Sequence, residues 1–165
     1  MNRKLDIGCG HRAREGYDGA DIRDHGQRYV CDIRSLPIPD DTYEEVMAIH
    51  VIEHFPSWQA PDAMREWVRV LKPGGKLVIE CPDFLKACAL TLLGATGCDS
   101  IPKALTLGAF WGDQSGRDEY MIHKWGYSPG TLRALMEEVG LFDIAQEPIQ
   151  FHQPLRDMRL VGTKQ

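Results

Sequence analysis

The sequence predicts a single α/β domain built on a mostly parallel sheet, and three observations carry that prediction. The stretch Leu5-Asp6-Ile7-Gly8-Cys9-Gly10 is an apolar run with one acid that leads into two glycines spaced by one residue. It reads as a short buried strand ending in a tight turn that a ligand can approach closely. A second short segment closes on an acid, Asp21. A glycine turn after one strand and an acid at the end of the next is the layout that holds a nucleoside at the carboxyl edge of an open α/β sheet. Finally, Glu45-Val46-Met47-Ala48-Ile49-His50 is almost unbroken in apolar character, which suits a central parallel strand covered on both faces.

In chain order, strand one is expected over 3–7, a polar loop over 11–16 and strand two over 17–21. Asp6 stands just before the glycine turn, where its carboxylate can accept backbone N–H groups and hold the loop. A short loop over 23–27 leads to strand three at 29–32. Neither connection has room for a full crossover helix, which takes a dozen residues or more. Prolines and paired acids make 36–41 an irregular loop, and strand four follows at 45–50. A helix is expected over 61–71: Pro61 suits a first turn, Met64, Trp67, Val68 and Leu71 form one stripe, and Pro73-Gly74-Gly75 stops it. Strand five is 76–81. An apolar insertion at about 84–110 reads as two short helices interrupted between 94 and 102, followed by a polar, aromatic, irregular stretch over 111–125. Ser128-Pro129 opens a second helix with Leu132, Leu135, Met136 and Val139 as its stripe and Gly140 as its stop. Two final strands are expected at 142–147 and 159–163. No repeat or boundary interrupts the chain, so 1–165 is read as one domain.

Composition narrows the function. The chain has 165 residues, 43% hydrophobic and 26% charged, as soluble globular domains do. A net charge of −5 disfavours a nucleic-acid partner. The most apolar run, 84–93, is too short to span a membrane and contains Lys86. Five cysteines, an odd number with no C-x-x-C pair, argue for free thiols in a reducing compartment. With no signal peptide visible ahead of strand one, a cytoplasmic location is expected.

The glycine turn has one rival reading. Gly8-Cys9-Gly10-His11-Arg12-Ala13 fits the dinucleotide pattern G-x-G-x-x-A, but that pattern needs a helix next and an acid about 20 residues on. Asp21 stands about half as far along and leaves no space for the helix. A nicotinamide-binding oxidoreductase is therefore disfavoured.

Taken in order, these pieces resemble the class I S-adenosylmethionine-dependent methyltransferases. The residues that carry the resemblance are Leu5-Asp6-Ile7-Gly8-Cys9-Gly10, Asp21, Cys31-Asp32, Leu36-Pro37-Ile38-Pro39-Asp40, His50-Val51-Ile52-Glu53-His54-Phe55 and Val70-Leu71-Lys72-Pro73-Gly74-Gly75-Lys76-Leu77. The nearest likeness is to short predicted methyltransferases with an abbreviated first crossover, in which a late Asp118-Glu119-Tyr120 … His123-Lys124-x-Gly126 stretch precedes the last helix.

The resemblance implies a Rossmann-like sheet of about seven strands, the last antiparallel, with S-adenosylmethionine as cofactor. Asp6, Gly8, Cys9 and Gly10 would form the donor loop, and the two glycines would let backbone close on its methionine part. Asp21 would hold the ribose hydroxyls and Ile22 would pack on adenine. Asp32 would accept from the adenine amino group with Ile33 beside it, and His50 would lie under the sulfonium end. Because the sulfonium is already an activated leaving group, the chemistry is mostly alignment. His54 and His123 are the candidate bases should the acceptor need to lose a proton.

Each site residue also has a plainer reading. Gly8 and Gly10 can make an ordinary tight turn, Asp21 can cap a loop, and Glu53 can cap the segment after it. The 118–123 cluster can be a solvated loop. His50 and His54 have the i, i+4 spacing of helical metal pairs, but no third ligand stands at a recognisable spacing, so no metal is assigned.

The expected activity is methyl transfer to a small-molecule acceptor, with no nucleic acid and no membrane involved. The alternative is a catalytically silent S-adenosylmethionine-binding subunit that supports a partner protein. Short loops at 8–16 and 23–27 remove helices from one face of the sheet. The apolar insertion is expected to cover that face, with Val46, Ala48 and Val78 beneath it, either by folding back or by joining a second copy. A homodimer is the favoured form.

Overall fold

In the computed structural model, residues 3–95 and 106–165 are described. Seven strands form one sheet in the order β3-β2-β1-β4-β5-β7-β6. They are β1 (Lys4–Ile7), β2 (Asp18–Asp21), β3 (Tyr29–Val30), β4 (Tyr43–Ile49), β5 (Leu71–Pro82), β6 (Leu141–Glu147) and β7 (Asp157–Lys164). The first five in space are parallel, while β7 runs antiparallel to both β5 and β6. The sheet is thus mixed, with β7 the antiparallel member. No helix lies between β1 and β2 or between β2 and β3, so the dinucleotide layout is absent.

Four α-helices, α1 (Ala60–Arg69), α2 (Phe84–Ala95), α3 (Leu107–Trp111) and α4 (Pro129–Glu138), and two 3₁₀ turns, Ile52–His54 and Glu119–Met121, complete the described fold. The stripe of α1 buries Met64 and Trp67 completely against the sheet, and Trp67 Nε1 donates to Ile33 O at 2.9 Å, tying α1 to the loop after β3. This helix ends before the expected Pro73-Gly74-Gly75 stop. Leu71 already pairs with Tyr43, and the next β4–β5 partners are Glu45 and Lys76, so the Pro-Gly-Gly segment is a bulge in β5. At the start of α4, Ser128 Oγ accepts from Thr131 N at 3.2 Å and Thr131 Oγ1 accepts from Ser128 N at 2.9 Å. This reciprocal cap, with Pro129 in the first turn, fixes where the helix begins.

Strand alternation divides the sheet into two unlike faces. Leu5, Ile7, Val46, Ala48, Leu77, Ile79 and Leu160 point to α1 and α4 and form the main core. The opposite face holds only a small apolar group, Met47, Ile49, Val78 and Val161, with Tyr17 against it. The rest of that face is charged. Arg159 meets Glu80 at 3.3 Å and Glu147 at 3.4 Å, and Lys4 meets Glu45 at 3.5 Å.

The expected cover for this second face is corrected in two ways. Val46 and Ala48 belong to the helix-covered side; of the three residues named, only Val78 faces the other way. The described part of the insertion also lies elsewhere: Phe84 packs edge-on to Phe110, and Leu107 and Trp111 reach the cavity at the ends of the strands. The interruption expected within 94–102 lies largely outside the described residues. The second face is dressed instead by Tyr17 and by the 148–156 segment. Gln150, Phe151 and His152 donate their backbone N–H groups to the buried Glu80 carboxylate at 3.0–3.1 Å, and Phe151 stacks under Arg14 and Arg159.

Candidate active site

A cavity of about 1180 Å³ opens at the carboxyl ends of the parallel strands, where such sheets place their ligands. Gly8, Gly10, Asp21, Ile22, Asp32, Ile33, His50, His54 and His123 all line it. Of the site residues expected from sequence, only Asp6 and Cys9 are absent from its wall.

The loop after β1 is built from its glycines. Gly8 and Gly10 have φ of +63° and +60°, the left-handed region that side chains disfavour. A β-carbon on Gly8 would stand 2.6 Å from Val51 Cγ2, whereas one on Gly10 would point into open space. Asp21 fastens this loop to β2: Oδ2 accepts from Gly10 N at 2.8 Å and Oδ1 from Arg23 N at 3.0 Å. Asp6 works from behind. It is fully buried, accepts Arg14 N at 3.0 Å and pairs with the Arg14 guanidinium at 2.8 Å. Burial raises its pKa against the opposing pull of Arg14. Asp6 therefore shapes the loop rather than facing a ligand. Cys9 is buried, with its thiol near Gly19.

Asp32 differs from expectation in its occupancy. Its carboxylate is already held by Arg34 through Nε, Nη2 and the backbone N–H at 2.6–3.1 Å. An incoming amino group there has to share these oxygens with Arg34.

His50 follows directly on β4 with φ +56°. Its Nδ1 lies 3.0 Å from Glu53 Oε1, and its Nε2 lies 3.1 Å from Asp157 Oδ2. Burial alone would lower its pKa, but the Asp157 and Glu53 carboxylates outweigh burial and raise it to about 9. The two carboxylates thus favour the protonated ring. The segment His50-Val51-Ile52-Glu53-His54 matches the H-x-x-E-H pattern of some zinc peptidases, but its context differs. His50 is left-handed ahead of a three-residue 3₁₀ turn, Ile52–His54, so the two histidines share no helix face.

His54 and His123 meet across the cavity wall with ring centroids 4.9 Å apart. His54 Nδ1 lies 3.1 Å from Ile122 O, and His123 Nδ1 lies 2.9 Å from Ala109 O. A carbonyl only accepts, so each Nδ1 carries the hydrogen and each Nε2 keeps its lone pair. Burial lowers the His123 pKa. The segment carrying His123 is pinned by Lys124 N and Trp125 N, which donate to Glu53 O at 2.8 and 3.2 Å. It reaches the β2 loop through Arg23 and Asp118 at 2.6 Å, with Arg23 over the Tyr120 ring.

Sequence reasoning did not place Glu53, Arg34, His152 or Arg156 at this site. His152 and Arg156 arrive on the segment that Glu80 anchors, far along the chain from the glycine loop. Once folded, all six histidines of the chain line this one cavity, which their scattered positions along the sequence do not show.

Residues 11–79 match the model of a family described as "Methyltransferase domain". A human protein named "Probable tRNA methyltransferase 9B" is 36% identical over 90 residues, covering 45% of this chain and 20% of the relative. The "27-O-demethylrifamycin SV methyltransferase" of Amycolatopsis mediterranei (strain S699) is 30% identical over 111 residues, covering 51% of this chain and 39% of the relative. A crystal structure titled as a SAM dependent methyltransferase from Archaeoglobus fulgidus superposes with a TM-score of 0.69 at 19% identity, covering 99% of this chain and 86% of that one. The chain is thus similar to methyltransferase domains over the matched stretch, and it shares the fold of that S-adenosylmethionine-dependent methyltransferase structure. It spans well under half the length of these two curated relatives. The matched stretch contains the acids Asp21 and Asp32 and the whole His50–His54 segment, whereas His123, His152 and Arg156 lie beyond it. No described helix is long and apolar enough to cross a membrane, and the four described cysteines are free. Cys98 lies outside the described residues.

Proposed function

We propose that this chain transfers a methyl group from S-adenosylmethionine to a small-molecule acceptor. The observation that carries the reading is the cradle made by Gly8, Gly10 and Asp21. A carboxylate has about four lone-pair sites, and the backbone uses two of those on Asp21. One further site on each oxygen is left for a vicinal diol such as a ribose. Ile22 is 43% exposed and lines the cavity beside it, an apolar surface ready for a base. S-adenosylmethionine, when bound, supplies an activated methyl group on a sulfonium. The chain then has to exclude water, orient the acceptor and accommodate its proton. Trp111, Tyr120 and Met121 also line the cavity, and the Nε2 lone pairs of His54 and His123 are the candidate proton acceptors.

Thermal unfolding with S-adenosylhomocysteine, S-adenosylmethionine and NAD in parallel tests the reading. A ligand at about 100 times its dissociation constant adds roughly 2.7 kcal/mol of stability. Stabilisation by the first two and not by NAD is expected, and indifference to both would overturn the donor site. Donor binding with no turnover across a broad acceptor panel would favour the silent-subunit alternative.

The exposed Leu85, Leu92 and Leu93 of α2 support a homodimer in solution. Light scattering at low micromolar concentration that gave the monomer mass of 18.6 kDa would exclude it.

A further inference from the structure

We propose that Glu53, His54 and His123 hold a divalent transition-metal ion in the cavity wall, and that a hydroxyl of the acceptor completes its coordination. One ligand atom from each of the three residues can be chosen so that all lie within 4.8 Å of one another. Bonds of about 2.0–2.2 Å at tetrahedral angles set donors roughly 3.3–3.6 Å apart, so the side chains have to draw inward by up to about 1 Å to close the set. Glu53 Oε1 and His123 Nε2 are already 3.9 Å apart.

Two independent features point to a cation here. The first is Glu53, buried to 2% exposure, whose carboxylate is partnered by His50 on Oε1 and has no donor on Oε2. His50 Nδ1 lies 3.0 Å from Oε1, which offsets part of the charge. A buried carboxylate left in this way is costly, and an ion between Glu53 and the two imidazoles repays that cost. The second feature is the orientation of both rings. His54 and His123 each direct Nδ1 at a backbone carbonyl, on Ile122 and Ala109. That outer contact is what fixes the tautomer of a metal-binding histidine and aims its Nε2 lone pair. Two imidazoles and one carboxylate suit Zn²⁺, Mn²⁺, Fe²⁺ or Co²⁺ better than Mg²⁺ or Ca²⁺.

The neighbouring trio His50, His152 and Asp157 is a weaker candidate. Asp157 is already engaged by His50, Arg156 and Gln153 N.

Three protein ligands leave coordination positions open, and these face the cavity that His54 and His123 line. The hydroxyl assignment rests on the methyl-transfer reading. Coordination makes a hydroxyl more acidic. With the Nε2 lone pairs of His54 and His123 bound to the ion, the two histidines act as ligands and not as bases; the O–H bond breaks and the proton passes to cavity water. An oxygen lone pair forms the new O–C bond to the methyl carbon. The C–S bond breaks and its electron pair returns to sulfur, leaving S-adenosylhomocysteine.

The test is calorimetric titration of the chelator-treated chain with Zn²⁺ and with Mn²⁺, in the absence of any methyl donor. One ion per chain is expected, with at least tenfold weaker affinity in each of His54→Ala, His123→Ala and Glu53→Gln, and unchanged affinity in His152→Ala. Circular dichroism melts check that each variant is folded; should Glu53→Gln not fold, the two histidine variants suffice. Absence of stoichiometric binding by the folded parent overturns the site. So does loss of binding in His152→Ala with none in His54→Ala, because the ion would then sit on the other trio. Donor binding without metal binding sinks only this proposal, whereas metal binding without donor binding sinks the methyl-transfer reading and leaves the metal site standing.

Discussion

Asp21→Ala removes a side chain with two jobs, and the structure allows the two costs to be separated. Its carboxylate accepts Gly10 N at 2.8 Å and Arg23 N at 3.0 Å. Hydrogen bonds to a charged acceptor are worth roughly 1.5–3 kcal/mol each. The Arg23 bond is exposed, so water replaces it at little cost, whereas the Gly10 bond is part-buried. The stability loss is therefore closer to one such bond than two, about 1.5–3 kcal/mol. Binding carries a second cost. With no acceptor for the ribose hydroxyls, affinity for S-adenosylhomocysteine should fall by about 1–3 kcal/mol, roughly 5- to 150-fold. Urea unfolding measures the first quantity. Titration calorimetry, run well below the variant's melting temperature, measures the second. Asp21→Asn keeps one carbonyl oxygen but turns an NH₂ toward one of the two backbone donors, so it should fall between parent and Ala in both. A variant that loses stability yet binds with parental affinity would make Asp21 a loop clamp alone and refute its place in the donor site.

Two further outcomes are expected. Gly8→Ala should lose about 1–2 kcal/mol to the left-handed backbone and about 1–3 kcal/mol more to overlap with Val51 Cγ2 at 2.6 Å; the double variant with Val51→Ala should be less unstable than the sum of the singles, and strict additivity in denaturant melts would argue against the overlap. Asp157→Asn should cost about 3–5 kcal/mol at pH 7, the usual effect of breaking a buried ion pair, because Asp157 is fully buried beside His50 and Arg156. Burial pushes the Asp157 pKa up, but His50 and Arg156 outweigh it and hold it well below the ordinary carboxylate range. A depressed folded-state pKa gives stability that is complete above the unfolded value of about 3.9 and drains away as pH falls toward the folded value. The gap between parent and variant should thus narrow below about pH 4, and a gap in urea melts that stays constant from pH 7 to pH 3 would contradict the assignment.

The sequence by itself determined the parts of this protein whose cause is local. The glycine turn at Gly8 and Gly10, the acid at Asp21, the capping signal at Ser128 and the stripes on α1 and α4 depend on neighbours a few residues away, and so were legible along the chain. The mostly parallel sheet of about seven strands, with an antiparallel last strand, followed from the resemblance those motifs carry, whereas the strand order came from the structure. Boundaries set by distant partners were not legible. The end of α1 and the bulge at Pro73-Gly74-Gly75 depend on Leu71 pairing with Tyr43 of another strand. What covers the second face was misread for the same reason. Strand alternation divides Val46 and Ala48 from Val78, and the cover comes from the 148–156 segment because buried Glu80 draws three of its backbone N–H groups inward. Only the tertiary structure brings His123 beside His54 over Glu53, because that meeting depends on how the 106–125 segment docks through Glu53 O and Ala109 O. A buried carboxylate and two aimed imidazoles have no fixed spacing in sequence; they become one site when the sheet edge and the segment above it close on each other.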